Sequence, residues 1–361
     1  LREAIALGEQ LGEPQLIAQA CEAICLHHLQ RRELTDEVRL YQERAHDLYR
    51  QLGDRDGEAR ILGHIGLVHQ RSGDYQVARQ RFDEAISLHE RRSNIWAAGR
   101  LYGRRGLLLF ETRRLAEARG DLERAIAIMR QFGDFVREAT DHLNLGCVEL
   151  ELGAHESARQ HFQSARNLYT RVGQYPTQAL VYVNLAVVEL DCGAFIAAEG
   201  HLDKALTIAR ETEHHAWELM VVGNQGIAAQ GLGDLARARI HLQRVQEALS
   251  RYPASWAALS TFLAHLGAVQ AAVDDIEAAD HTFAQCQKRI NEGNHPHSLA
   301  LVDCLLGFRD LACARRAGSA EEIREHLHRA RARVAHNAST NCDLRIAQRL
   351  LQTALAAAGG I

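Results

Sequence analysis

Three asparagines recur at a fixed interval along the chain. Asn144, Asn184 and Asn224 lie forty residues apart, and each opens a related stretch: NLGCVELELG, NLAVVELDCG and NQGIAAQGLG. An asparagine amide carries a carbonyl acceptor and N–H donors, so a row of such amides suits gripping the backbone of an extended peptide. The chemistry that this spacing predicts is binding of a peptide backbone without reading its sequence.

Charged residues share the helical face of these asparagines. His64 and Arg104 stand one and two forty-residue steps before Asn144. Positions three, four or seven residues away lie on the same side of a helix. They add basic residues in the earlier segments and carboxylates in the later ones: Arg60, Arg71, Arg100, Glu151 and Asp191. We expect a surface that is basic at one end, amide-lined at its centre and flanked by carboxylates.

Two other groupings could suggest metal or acid–base chemistry. Cys21, Cys25 and His28 share a face of CEAICLHHL. Cys21 and His28 are roughly 10 Å apart along a helix axis that rises about 1.5 Å per residue, too far to share a tetrahedral ion comfortably. Glu151 and Asp191 could form an acid–base pair, yet no nucleophile motif or phosphate loop accompanies them. We therefore expect no cofactor, no metal site and no enzymatic activity.

Columns of small and large residues with the same period must position these side chains. One small column is Gly66, Gly106, Gly146, Ala186, Gly226 and, after forty-one residues, Gly267. A second is Ala78, Ala118, Ala158, Ala198, Ala238 and Ala279. Four residues after each alanine stands a large residue: Phe82, Leu122, Phe162, Leu202, Leu242 and Phe283. Small residues let two helices approach closely, and the large residue fills the space between repeats. The columns predict an array of helical repeats.

Turn signals divide each repeat into two helices. A glycine separates the halves in SGDY, LGAH, CGAF and LGDL, where it would cap a helix: Gly73, Gly153, Gly193 and Gly233. The four prolines lie in the other junction, where a helix start tolerates them: Pro14, Pro176, Pro253 and Pro296. The unit is therefore helix, short turn, helix, longer turn.

These residues resemble the tetratricopeptide repeat family. Its L-G in the first helix, followed by A-x3-F and a further alanine in the second, is matched by Ile65–Gly66 with Ala78, Phe82 and Ala85. The match recurs two repeats later at Leu145–Gly146, Ala158, Phe162 and Ala165. The unit is forty residues long rather than thirty-four, which is similar to kinesin light chain, the Pins/LGN scaffolds and the sensor superhelix of maltose-activator-type bacterial regulators.

The resemblance implies an all-α fold, a right-handed α-solenoid superhelix of antiparallel helix pairs. We expect one domain over residues 1–361, with a leading half-repeat at 1–12, seven helix pairs at about 15–335 and a terminal capping helix at about 338–358. In this family the first helices line the concave inner surface. Members that bind extended peptides use asparagines at the position of Asn144, so the face described above would line a peptide-binding groove.

Composition limits the partners and the location. The formal net charge of −4 gives no electrostatic reason to expect nucleic acid or an anionic membrane. No apolar run is long enough to span a bilayer, and no signal peptide opens the chain. The eight cysteines contain no CxxC pair and fit reduced thiols. We expect a soluble, cytoplasmic protein whose cysteines are free.

Two functions remain open at this point. One is an interaction scaffold whose groove holds a peptide or helix of a partner protein. The other is a sensor superhelix at the C-terminal end of a larger bacterial signalling protein, responding to a small inducer or to an effector domain of the same protein. The chain starts at Leu1 inside a second helix without an initiator methionine, which favours a fragment. The sequence does not indicate an oligomeric state.

Overall fold

The computed structural model describes residues 1–31, 35–251, 260–293, 296–336 and 341–358, and within these ranges the chain forms eighteen α-helices and no strand. In chain order they are α1 (Arg2–Leu11), α2 (Pro14–Arg31), α3 (Asp36–Leu52), α4 (Arg55–Arg71), α5 (Tyr75–Arg91), α6 (Ile95–Glu111), α7 (Leu115–Phe132), α8 (Phe135–Glu151), α9 (His155–Arg171), α10 (Gln178–Cys192), α11 (Phe195–Glu211), α12 (His215–Gly231), α13 (Leu235–Arg251), α14 (Ser260–Ala272), α15 (Ile276–Gly293), α16 (Pro296–Arg316), α17 (Ala320–His336) and α18 (Cys342–Ala358). The all-α prediction is confirmed.

Short turns join the helices into pairs. The even-numbered helices α2 to α16 are the first helices of the repeats, and each is followed by its second helix. The predicted turn glycines adopt left-handed backbone angles, with φ of 82° at Gly73, 76° at Gly153, 79° at Gly193 and 80° at Gly233. Glycine reaches this region without a Cβ clash, so each first helix ends where the sequence predicts. Pro253 lies outside the described residues.

The chain divides into two compact units. Unit 1 comprises Leu1–Val148, which holds α1 to α7 and most of α8. Unit 2 comprises Glu149–Ile361, which holds the last residues of α8 and the helices α9 to α18. Each unit has its own buried apolar residues, such as Phe82 in unit 1 and Leu242 in unit 2.

The predicted columns form the helix–helix contacts within both units. Every alanine of the second small column is fully buried, and the large residues four positions later are at most 2% exposed. A Cβ added to Gly66 would lie 2.8 Å from the ring of Phe82, and one added to Gly226 would lie 2.6 Å from Cγ of Leu242. The first helix therefore approaches its second helix closely because these positions lack a side chain.

The described helices α2 to α17 form eight pairs where the sequence predicts seven. The last pair, α16 and α17, departs from the spacing of the others because a further helix packs on it. Gly307 of α16 does not face its own second helix, since a Cβ there would lie 2.4 Å from Cδ2 of Leu351 in α18. The terminal helix α18 packs against α16, α17 and α10. Its apolar side includes Ile346, Ala347 and Leu351, which are buried in unit 2.

Substituting two helical glycines of unit 2 tests the close approach. Gly226→Ala forces a methyl group against Leu242, and overpacking of this kind costs about 1–3 kcal/mol. Gly200→Ala in α11 meets no atom within 4 Å, and alanine there should stabilise the helix by about 0.5–1 kcal/mol. Urea denaturation followed by circular dichroism should move the two midpoints in opposite directions. Equal midpoints would contradict the packing.

Candidate functional site

A pocket opens between the first helices α4 and α6 of unit 1. The Asp54 carboxylate caps α4 by accepting from the backbone N–H of Gly57 at 2.9 Å, and Asn94 caps α6 by accepting from Ala97 at 3.3 Å. These caps fix where both helices start and so which side chains enter the space between them. The cavity measures about 170 Å³. Its polar and aromatic lining includes Asp56 and Asn94 together with a basic and aromatic group, called the basic pocket below: Arg60, His64, His89, Trp96, Arg100 and Arg104.

One arginine of the basic pocket is already neutralised. Arg60 donates from Nε and Nη2 to the two carboxylate oxygens of Glu22, at 3.1 and 3.2 Å. The Tyr49 hydroxyl donates to the same carboxylate at 2.6 Å. The hydrogen bond to Glu22 raises the pKa of Arg60 and holds its guanidinium in place.

The other two arginines, Arg100 and Arg104, form no ion pair with a carboxylate of the described residues. The Arg100 guanidinium lies 4.9 Å from the centre of the Trp96 ring, and Trp96 is held by donating from Nε1 to Asp134 at 3.2 Å. Burial lowers the pKa of Arg100. Burial also lowers the pKa of Arg104 to about 10, and neighbouring cations, Arg100 first among them, add to this. The pocket is therefore a site of uncompensated positive charge.

Two imidazoles complete the basic pocket. Nδ1 of His64 and Nδ1 of His89 are buried, and neither has a hydrogen-bond partner within the described ranges of the chain. Burial is the main cause that lowers the pKa of both side chains. Both imidazoles therefore line the cavity in their neutral form at neutral pH, next to the charged guanidinium groups.

The predicted basic residues separate into two places. Arg60, His64, Arg100 and Arg104 come together in the pocket. Arg71 lies at the end of α4, where its Nη1 donates to the main-chain oxygen of Leu29 in α2 at 2.6 Å. Arg71 therefore joins two first helices.

The three asparagines have unequal surroundings. Asn144 on α8 of unit 1 and Asn184 on α10 of unit 2 are half-buried. Asn224 on α12 is only 6% exposed, and its Nδ2 donates to the main-chain oxygen of Met220 one turn earlier, at 2.9 Å. The expectation of an open amide therefore does not hold for Asn224, because its own helix accepts its hydrogen bond.

Glu151 and Asp191 are buried by α18 instead of flanking an open groove. Asp191 is 1% exposed and Glu151 is 8% exposed. Arg345 of α18 donates from Nε to Asp191 Oδ2 at 2.9 Å and from Nη2 to the Leu150 main-chain oxygen at 2.6 Å. Arg349, one turn further, donates from Nε to the Asp191 main-chain oxygen at 3.1 Å. The chain thus places its own helix on the first helices of unit 2.

Further acidic groups lie next to the contact between Arg345 and Asp191. Sγ of Cys342 lies 3.4 Å from Oε1 of Glu151, and His155 Nε2 lies 2.8 Å from Asp191 Oδ2. Burial raises the pKa of Asp343 to about 6, and the Glu151 carboxylate adds to this. Arg345 is the cation that faces these acids, so it holds α18 in place by charge as well as by hydrogen bonds.

The sequence patterns do not predict His89, Trp96 or Arg345 as site residues. His89 had a detectable signal, since it is a polar residue in a column that is otherwise apolar: Tyr49, Met129, Tyr169 and Ala209. Trp96 and Arg345 had none, because neither follows the forty-residue period. Among the residues that the structure describes, no group of three His, Cys, Asp or Glu side chains is placed to hold a metal ion. No described helix is long and apolar enough to cross a membrane.

Comparison with known proteins gives a family match and several similar structures. A family model for the tetratricopeptide repeat matches residues 24–91, 98–171 and 177–251. No curated protein matches the sequence. Three solved structures have a similar fold at low sequence identity, so they bear on the fold alone.

The first is aspartyl phosphate phosphatase F from Bacillus subtilis, with a TM-score of 0.63, 10% identity and coverage of 78% of this chain and 73% of that one. The second is a Rap protein complexed with the competence and sporulation factor, with a TM-score of 0.62, 14% identity and coverage of 94% and 98%. The third is the Rap conjugation gene regulator of the plasmid pLS20 in complex with the Phr* peptide, with a TM-score of 0.55, 12% identity and coverage of 96% and 97%.

Removing the guanidinium of Arg345 should release α18. Arg345→Ala leaves the nearly buried Asp191 without this partner, and breaking a buried ion pair costs about 3–5 kcal/mol. Hydrogen–deuterium exchange should show the α18 amides losing protection while α4 to α7 keep theirs. Arg331→Ala, an exposed arginine of α17, is the control. Unchanged protection of α18 in Arg345→Ala would contradict the anchoring role.

The packing of α18 against the first helices of unit 2, called its docking, should also depend on pH through Asp343. Its pKa rises from 3.8 to about 6 in the docked helix, so the docked state binds a proton more tightly than the released one. Docking should therefore strengthen as the pH falls from about 6 to 4 and weaken as the pH rises through about 6.

Exchange protection of α18, corrected for the intrinsic rate at each pH, measures this effect. Asp343→Asn should remove the pH dependence in that window, while Glu321→Gln, at an exposed position of α17, should retain it. A wild-type dependence that survives in Asp343→Asn would assign the titration to another group.

Proposed function

Because the chain belongs to the tetratricopeptide repeat family, we propose that it is a non-catalytic interaction module that binds a peptide segment of a partner protein on its first helices. The observation that carries this proposal is the position of α18. A helix of the chain itself lies against the first helices α10 and α16, and Arg345 and Arg349 donate to main-chain oxygens of α8 and α10. A surface whose own main-chain oxygens accept hydrogen bonds from one helical segment is suited to hold another segment.

Unit 1 is the proposed site for a partner segment. Its basic pocket provides charged and aromatic groups between α4 and α6, and Asn144 offers a half-buried amide on α8. Arg71 borders this surface at the end of α4. The charge at the pocket favours an acidic segment over a basic one.

Unit 2 has a different role in this proposal. A partner segment there meets the half-buried amide of Asn184 directly. It reaches Asp191 and Glu151 only in exchange for α18, which covers them, and Asn224 only by breaking the bond to Met220. Binding at unit 2 is therefore a competition with the chain's own C-terminal helix.

Two similar structures support peptide binding and a regulatory role. Two proteins of similar fold are seen in complexes, one with the competence and sporulation factor and one with the Phr* peptide, and the second of them is a conjugation gene regulator. On that basis the second candidate is a sensor superhelix of a larger regulatory protein. In that case the bound segment is an inducer or an effector domain of the same full-length protein.

Selection from phage-displayed random peptides tests the proposal directly. We expect the purified chain to enrich peptides with acidic residues, and hydrogen exchange to show that they protect α4 and α6. Arg100→Glu with Arg104→Glu should weaken these peptides by at least tenfold at low salt, since two close charge contacts become repulsive.

The matched control reverses two arginines on second helices of the same unit. Arg39 and Arg91 are exposed on α3 and α5, so Arg39→Glu with Arg91→Glu should leave peptide affinity unchanged. Circular dichroism establishes that both double variants fold. Enrichment of no peptide sequence, or equal losses in both variants, would count against the first helices of unit 1 as the site.

A further inference from the structure

Most arginines around the basic pocket pair with a carboxylate, and Arg100 and Arg104 are the exceptions. Glu22 neutralises Arg60, Asp56 pairs with Arg92 at 3.3 Å, and Asp134 pairs with Arg137 at 3.3 Å. Among the residues that the structure describes, no carboxylate forms an ion pair or hydrogen bond with Arg100 or Arg104. The pocket therefore retains about two unbalanced positive charges.

The neighbouring arginine shows what full pairing looks like in this fold. Arg105 follows Arg104 directly in the sequence and donates from Nε and Nη2 to the two oxygens of Asp121, at 2.6 and 2.8 Å. A third bond from Nη1 reaches Asp83 at 2.5 Å. Where an arginine of α6 is structural, the chain thus supplies carboxylates for it, and on the pocket side of the same helix it does not.

Unused hydrogen-bonding atoms point to the same place. Nε of Arg100, Nδ1 of His64 and Nδ1 of His89 are buried and find no hydrogen-bond partner among the residues that the structure covers, although buried polar atoms in proteins nearly always have one. The cavity that they line measures about 170 Å³, whereas a single water needs about 10–15 Å³. The space, the donors and the charge all fit a ligand larger than water and negatively charged.

We propose that the basic pocket binds a phosphate monoester, with Arg100 and Arg104 as its cationic contacts. A carboxylate balances one of the two free guanidinium groups. A phosphate monoester carries about −1.5 to −2 charges and three acceptor oxygens, so it balances both. Guanidinium forks match the oxygens of phosphate in pairs, and Trp96 under Arg100 keeps that fork oriented before binding.

The inference rests in part on the proposed function, because a phosphorylated side chain of a partner peptide is one source of the phosphate. Free phosphate or a small phosphorylated molecule is the other source. The chemistry recognised in the pocket is the same for both. Separate measurements therefore establish the pocket chemistry first and its source second.

Isothermal titration calorimetry of the full chain with inorganic phosphate establishes the chemistry. We expect saturable binding of one phosphate, not reproduced by acetate at the same ionic strength. Arg104→Gln and Arg100→Gln should each weaken binding by at least tenfold, whereas Arg39→Gln should leave it unchanged. Equal heats with acetate, or phosphate binding that survives both pocket variants, would overturn the proposal.

The affinity of a phosphopeptide identifies the source of the phosphate. A peptide selected by the chain, resynthesised with phosphoserine in place of its acidic residue, should bind at least tenfold more tightly and lose that gain in Arg104→Gln. If phosphate binds and the phosphopeptide gains nothing, the pocket serves a free phosphate compound and the peptide source is wrong. If peptides bind α4 and α6 but phosphate does not, the phosphate inference falls while the proposed function stands.

Discussion

The close approach of the two helices in each repeat is the contact on which the rest of the structure depends. Gly66 and Gly226 lie directly against the large residue of the second helix, with no room for a Cβ. A helix pair cannot bury its apolar face alone, so each repeat stacks on its neighbours at the separation that these contacts set. The side chains of the first helices are therefore presented one repeat apart, whatever their chemistry.

Sequence predicted the parts of the fold that arise from local and periodic packing. Gly66 and Phe82 are sixteen residues apart, and their partners recur every forty residues, so the helix pairs and turns could be recognised from one chain. The contact of Arg345 with Asp191 joins residues 154 positions apart and occurs once. No period marks it, so a prediction from the repeats alone leaves Asp191 open when the structure buries it.

The same limit applies to the candidate site. Arg60, Arg100 and Arg104 were predicted on one face from helical spacing, and they do line one pocket. Their charge balance was not predictable, because Glu22 neutralises Arg60 from α2 while no carboxylate in the described part of the chain pairs with Arg104. Helical geometry decides which side chains share a surface, and the neighbouring helices decide which of them remain available for a ligand.

Under the proposed function, the two units differ in how they bind a ligand. In unit 2 the acidic first-helix positions already have Arg345, so any partner competes with a tethered helix whose local concentration is fixed by the chain. In unit 1 the buried cations Arg100 and Arg104 repel each other and raise the free energy of the unliganded pocket. An anion removes that repulsion and stabilises the folded state in proportion to its concentration over its dissociation constant. The proposal therefore makes occupancy of unit 1 depend on ligand concentration, and occupancy of unit 2 depend on the release of α18.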